Sequence, residues 1–167
     1  MSTARKGARE RVVLERTFRA SIDDVWELWT TADGIESWWG PDGFSVKVRR
    51  LELRPGGELH YAMTADAPEM KAFMKANNMP VTTENVIRFT EVTPPRRLVY
   101  SNLADFIPGV APYEVGTMLE LSETKAGVRL VLTIERMHDE EWTRRAVTGW
   151  EMELGKLEKA LAQRGAK

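Results

Sequence analysis

Two adjacent tryptophans, Trp38 and Trp39, and four polar residues on otherwise apolar strand faces, Tyr61, Tyr100, Asn102 and Thr117, are the groups best suited to handling a small molecule. Indole rings stack on apolar or aromatic ligands, while an isolated hydroxyl or amide in an apolar wall fixes a ligand's orientation. The tryptophan pair has the more ordinary use of building the frame, with one indole reaching inward. Groups able to drive catalysis are sparser. His60 stands between Leu59 and Tyr61, so strand alternation turns it away from the apolar face. His138 precedes Asp139, Glu140 and Glu141, but acids there suit a helix N-terminus, and one histidine makes a poor metal site. Ser37, Ser45, Ser101 and Ser122 occupy no nucleophile-elbow context. Gly56-Gly57 precedes a strand rather than a helix, so it does not cradle phosphate. The pattern supplies no catalytic constellation, no metal site and no cofactor box. An enzymatic reading would have to lean on a single acid or base, with Tyr61, Tyr100 and Asp105 as the available groups.

Composition narrows the classes further. The chain has 167 residues, long enough for one core to hold a single domain. With no cysteine, disulfide frameworks, thiolate metal sites and a cysteine nucleophile are all excluded. The 24 Lys and Arg residues balance 25 Asp and Glu residues, without the basic excess of a nucleic-acid binder. Arg49-Arg50, Arg96-Arg97 and Arg144-Arg145 are short clusters without interleaved aromatic residues and read as solvated faces. The polar N-terminal stretch is followed by no apolar run, and no segment approaches the length of a bilayer span. The expectation is a cytoplasmic protein with neither nucleic-acid nor membrane partners, residues 1–11 being a flexible tail. Six tryptophans and eight methionines form a surplus that calls for an explanation.

These groups must be positioned by elements whose periods are visible. Residues 12–19 alternate as a strand. Ser21, followed by Asp23 and Asp24, caps a helix over 22–30; Asp33-Gly34 should break it, and Ile35 to Trp39 make a second helical turn. From Phe44 the period becomes two, with a phase shift at Arg49-Arg50 that reads as a bulge before Leu51 and Leu53. Arg54-Pro55-Gly56-Gly57 turns the chain into a return strand through Leu59, Tyr61 and Met63. Further strands are expected at 83–93, 97–103, 114–123 and 127–136. A final helix opens at Asp139, with an apolar stripe of Trp142, Ala146, Trp150, Leu154, Leu157 and Leu161. Antiparallel strands plus one long amphipathic helix give an α+β architecture.

The strings Val25-Trp26-Glu27-Leu28-Trp29-Thr30, Trp38-Trp39-Gly40-Pro41 and Gly43-Phe44 resemble markers of the activator of heat-shock-protein-90 ATPase homologue family. That family belongs to the START-like, or SRPBCC, superfamily. Arg54-Pro55-Gly56-Gly57, Pro94-Pro95-Arg96-Arg97-Leu98 and Gly149-Trp150 follow in the matching order, so the likeness spans roughly residues 12–163. The resemblance implies a helix-grip fold: a curved antiparallel sheet of about seven strands wrapped around a long C-terminal helix, with two short helices after the first strand. It also implies an apolar cavity between sheet and helix. One START-like domain is thus expected over 12–167, interrupted by an inserted segment at about 64–83.

Within that segment Met70, Phe73 and Met74 share a helical face, equally readable as a lid over the cavity or as plain packing on the body. Alternation places Leu59, Tyr61, Met63, Tyr100, Thr117 and Leu119 on the cavity wall, with Asn102 as a further polar handle. Trp38, Trp39 and Phe106 stand at its ends and edges, and Trp150 and Leu154 on the facing helix. The leading expectation is a binding protein for an apolar or aromatic small molecule. Since related helix-grip domains include cyclases and hydrolases of aromatic substrates, an enzyme is the alternative. A chaperone-interacting regulator and a homodimer built on the apolar loops also stay open.

Overall fold

The computed structural model describes residues 10–165 apart from Phe106 and Pro108. Strand β1 (Arg11–Phe18) buries Leu14 and Phe18 and turns the alternate residues outward. Ser21 then caps helix α1 (Ile22–Thr30), its hydroxyl accepting from the Asp24 N–H at 3.0 Å, with Asp23 and Asp24 in the first turn. Thr31 ends α1 and caps α2 (Ala32–Trp38), its hydroxyl accepting from the Gly34 N–H at 3.0 Å. Gly34 therefore lies inside a helix rather than breaking one. Its missing side chain lets α2 cross α1 tightly: a Cβ there would stand 2.5 Å from the Glu27 carbonyl oxygen and 2.7 Å from Leu28 Cα.

The chain then builds β2 (Phe44–Leu51), β3 (Glu58–Ala65), α3 (Pro68–Ala76), β4 (Thr82–Thr93), β5 (Arg97–Ala104), β6 (Tyr113–Thr124), β7 (Gly127–Glu135) and α4 (Glu140–Gly165). All seven strands form one antiparallel sheet in the order β1-β7-β6-β5-β4-β3-β2. The register shift expected at Arg49-Arg50 is present between Val48 and Arg50, while Leu53 falls outside β2, where the Glu52 N–H already bonds across the turn to the Glu58 carbonyl. β1 and β2 follow one another in sequence yet occupy opposite sheet edges, so the α1–α2 hairpin has to bridge them. A right-handed twist and that bridge together curve the sheet around α4. This is the helix-grip arrangement that the resemblance implies.

The concave face carries Leu59, Ile87, Phe89, Leu98, Leu119 and Leu132, and α4 sets Leu154, Leu157 and Leu161 against them in one core. Asp139 caps α4, its carboxylate accepting from the Trp142 N–H at 2.8 Å. On the convex face, arginines that the sequence set in short clusters pair with acids: Arg50 with Glu52, Arg96 with Glu123, and Arg97 with both Glu91 and Glu120. Such exposed pairs orient side chains more than they stabilise the fold. Among the described residues no helix is long and apolar enough to cross a membrane.

Candidate functional site

A partly enclosed cavity of about 230 Å³ lies between the concave face and the first half of α4. Strand register explains its wall. Tyr100 pairs with Thr117 and Thr117 with Ile134, making one row across β5, β6 and β7. Ile87 pairs with Asn102 and Asn102 with Val115, making the next row. Each is two residues along its strand from its counterpart, so both rows face inward. Tyr61 from β3 joins them, and α4 closes the space with Ala146, Trp150 and Glu153. Trp39, immediately after α2, shuts one end, while Glu135 and Met137 stand where β7 leads towards α4.

The tryptophan surplus resolves into a connected array. Trp39 meets Tyr61 at right angles with centroids 5.4 Å apart, and Trp38 lies 6.0 Å from Trp39. Trp38 meets Trp29 edge-on at 4.7 Å, and Trp29 stacks on Trp150 at 6.0 Å with planes 18° apart. Trp38 is wholly committed to the frame, since it is buried and its indole N–H donates to the Leu28 carbonyl at 2.7 Å. Its neighbours are not so satisfied. The Trp29 and Trp39 indole N–H groups and the Tyr100 hydroxyl are buried without a hydrogen-bond partner of ordinary geometry among the described residues. Trp39 and Tyr100 both line the cavity with their rings, while these polar atoms are themselves buried.

Besides that of Glu135, Glu153 brings a second carboxyl to the cavity, from α4. Burial raises its carboxyl to about 7, against the opposing effects of the Gly40 N–H, 3.4 Å from Oε1, and of Lys156. Burial also pushes the Tyr61 hydroxyl well above its ordinary value, and the charge of Glu153 adds to this. Tyr100 is raised in the same way, chiefly by burial, although Trp29 and Thr117 beside its hydroxyl pull in the opposite direction. Both phenols are therefore neutral donors at neutral pH, and Glu153 is the one that changes charge there.

Of the residues expected from sequence to face a ligand, the cavity brings together Trp39, Tyr61, Tyr100, Asn102, Thr117 and Trp150. Leu59, Leu119 and Leu154 are buried in the core away from it, and Trp38 is held in the helical hairpin. Trp150 stacks on Trp29 of α1 and also lines the cavity. Met63 packs at the core's edge, also outside the cavity. Phe106 lies outside the described residues, as does most of the N-terminal tail.

Helix α3 corrects the reading of the inserted segment. Met74 is buried, but Phe73 is 54% exposed, so Met70, Phe73 and Met74 do not share one covered face. The helix touches the body along a narrow line near Gly43, whose carbonyl accepts from the Asp66 and Ala67 N–H groups, and Phe73 falls to the solvent side of that line. No α3 side chain lines the cavity.

Sequence reasoning missed Glu153 together with Ile87, Val115, Ile134, Glu135, Met137 and, as a cavity residue, Ala146. A signal for Glu153 existed: it stands three residues after Trp150 and four before Leu157, within the apolar stripe of α4, where a carboxylate is out of place. The histidines stand elsewhere. His60 is paired with Glu58, and His138 meets the Tyr113 hydroxyl at 2.9 Å and Asp139 at 3.3 Å. Among the described residues no three His, Cys, Asp or Glu side chains are grouped to hold a metal ion.

Comparison with known proteins bears on the fold and the family. The model of the family described as Activator of Hsp90 ATPase homolog 1-like protein matches residues 19–162. No curated protein matches the chain. A crystal structure of a protein from Chromobacterium violaceum is 20% identical with a TM-score of 0.73, over 90% of this chain and 96% of the other. One from Nitrosomonas europaea is 24% identical with a TM-score of 0.69, over 92% and 95%. The solution structure of an AHSA1-like protein from Aeromonas hydrophila is 17% identical with a TM-score of 0.73, over 95% and 96%. At these identities the solved structures speak to the fold.

Proposed function

The chain belongs to the family of Activator of Hsp90 ATPase homolog 1-like proteins, and from that premise we propose that it is a small ligand-binding protein. It holds one hydrophobic or aromatic molecule between the sheet and α4. The observation that carries this reading is the partly enclosed cavity itself, walled by the rings of Trp39, Tyr61, Tyr100 and Trp150 with Asn102 and Thr117 among them. The volume of about 230 Å³ lies between the ~150 Å³ that accommodates benzene and the ~300 Å³ at which drug-sized sites begin. The ligand is accordingly a single-ring or similarly compact molecule. The unit that binds it is the domain expected over 12–167, acting in the cytoplasm. Native mass spectrometry after gentle purification, followed by displacement of an environment-sensitive dye with compact aromatic compounds, tests the reading. Displacement at micromolar concentrations supports it; a dye that never binds, with no co-purified mass, overturns it.

One observation favours a catalytic variant of this reading: the carboxyl of Glu153, raised to about 7, faces the same cavity and could pass a proton to a bound aromatic substrate. Turnover of aromatic esters or cyclisable polyphenols that disappears in Glu153→Gln would support it. A chaperone partner, which the family description brings to mind, is tested by pull-down with Hsp90, and a homodimer by light scattering of the same sample.

A further inference from the structure

The charges around the cavity are one-sided. Its wall carries the rings of Trp39, Tyr61, Tyr100 and Trp150 and the carboxylates of Glu153 and Glu135, but, among the described residues, no lysine, arginine or histidine. We infer that this cavity selects a small organic cation, an aromatic amine or quaternary ammonium compound, held against the aromatic rings and countered by the Glu153 carboxylate. The inference rests on the ligand-binding reading above and names the ligand's class.

Three features of the site support it. Trp39 and Tyr61 pack edge to face, and together with Tyr100 and Trp150 they make the wall largely aromatic. The negative faces of such rings attract a cation, most strongly where water is excluded. Secondly, the carboxylates differ in availability: Glu135 already accepts from the Gly116 N–H at 2.7 Å, whereas among the described residues Glu153 has the longer 3.4 Å contact from Gly40. Thirdly, the cation nearest Glu153 is occupied elsewhere. Lys156 Nζ donates to the Gly40 carbonyl at 2.7 Å and does not line the cavity. The groups facing Glu153 from the other elements are the Tyr61 and Tyr100 phenols and the Gly40 N–H, none of which is a cation. An anionic ligand would have to be desolvated beside carboxylates with no compensating charge, which is costly. A cation relieves the burial of Glu153 instead.

The test uses the full chain and three compact probes: benzyltrimethylammonium, benzyl alcohol and benzoate, titrated by calorimetry at pH 8 and constant ionic strength. The cation should bind at least about tenfold more tightly than the alcohol, and benzoate more weakly than either. Because Glu153 titrates near 7 and the quaternary probe keeps its charge, wild-type affinity for the cation should fall about tenfold from pH 8 to pH 6 while that for the alcohol holds. Glu153→Gln should erase the preference for the cation over the alcohol and the pH dependence. If alcohol and cation bind equally, or benzoate binds best, the cation inference is overturned and the ligand-binding reading stands. If none of the three binds and no dye is displaced, both fall. The wild-type pH profile needs no variant, so a poorly folding Glu153→Gln would not shield the proposal.

Discussion

Glu153 and Lys156, one turn apart on α4, grip the same backbone residue from its two sides. The Gly40 N–H donates to Glu153 Oε1 at 3.4 Å, and Lys156 Nζ donates to the Gly40 carbonyl at 2.7 Å. Gly40 has a φ of 89°, a conformation that glycine adopts without strain, and it directly follows Trp39. The helix therefore sets both the position of the indole that shuts the cavity and the carboxylate inside it. Replacing Lys156 by Met should remove one hydrogen bond and one favourable charge. The Glu153 carboxyl should rise further above 7, and stability should fall by about 1 kcal/mol. Carbon-detected NMR titration of the Glu153 carboxyl reads the first effect; a downward shift would contradict it.

Glu153 should also leave a mark on stability against pH. Its carboxyl is ordinary in the unfolded chain and raised in the fold, so the folded state keeps the proton longer. Its contribution is fully present below the ordinary carboxylate range and is lost as pH rises through about 7. Glu153→Gln should match wild type near pH 5 and exceed it by about 1–3 kcal/mol at pH 8. Glu15, Glu52 and Glu58, held low by Arg129, Arg50 and His60, act in the opposite sense but are common to both proteins. Urea unfolding at several pH values gives the difference; one that stays flat would refute the assignment.

Tyr100→Phe removes a buried hydroxyl that has no partner of ordinary geometry among the described residues. Stability without ligand should stay level or rise by up to about 1 kcal/mol, since desolvation of the hydroxyl is no longer required. Thermal unfolding decides it, and a loss above 1 kcal/mol would mean that the Trp29 or Thr117 contact is a full hydrogen bond.

Two glycines on helices should respond with opposite signs. Gly34→Ala drives a Cβ into the Glu27 carbonyl and Leu28 Cα, backbone atoms that cannot move aside alone, and should cost about 2–3 kcal/mol. Gly155→Ala meets nothing within 4 Å on the exposed side of α4 and should stabilise by about 0.5–1 kcal/mol. Denaturant melts of the two variants check both signs.

Helix α3 separates stability from binding. Met74→Ala should cost about 2 kcal/mol because its side chain is buried, whereas Phe73→Ala should stay within about 0.5 kcal/mol of wild type. Neither should change the affinity of a cavity ligand by more than about twofold, a difference of ~0.4 kcal/mol, since neither residue lines the cavity. Dye titration of both variants tests this, and a large affinity loss in Phe73→Ala would restore the lid reading.

Patterns local to one element were legible in the sequence. Period two located the strands to within a residue or so and turned Leu59, Tyr100, Thr117 and Leu119 inward, because one covered face imposes alternation on every strand. The Ser21 cap, the bulge near Arg50 and the Asp139 start of α4 are likewise matters of neighbours in sequence. Gly34 was misread because its role lies in a crossing of two helices, which no dipeptide rule records. What only the tertiary structure decided was which inward residues enclose space and which fill it. Leu119 and Thr117 share a face of β6, yet one is in the core and the other lines the cavity. Glu153 shows the same division. Its place in an apolar stripe was readable, but its raised carboxyl depends on burial against elements brought beside it from distant parts of the chain, an effect that the Gly40 N–H only partly offsets. Alternation and capping act over a few bonds, whereas desolvation and charge act through space, and only the closed fold fixes those distances.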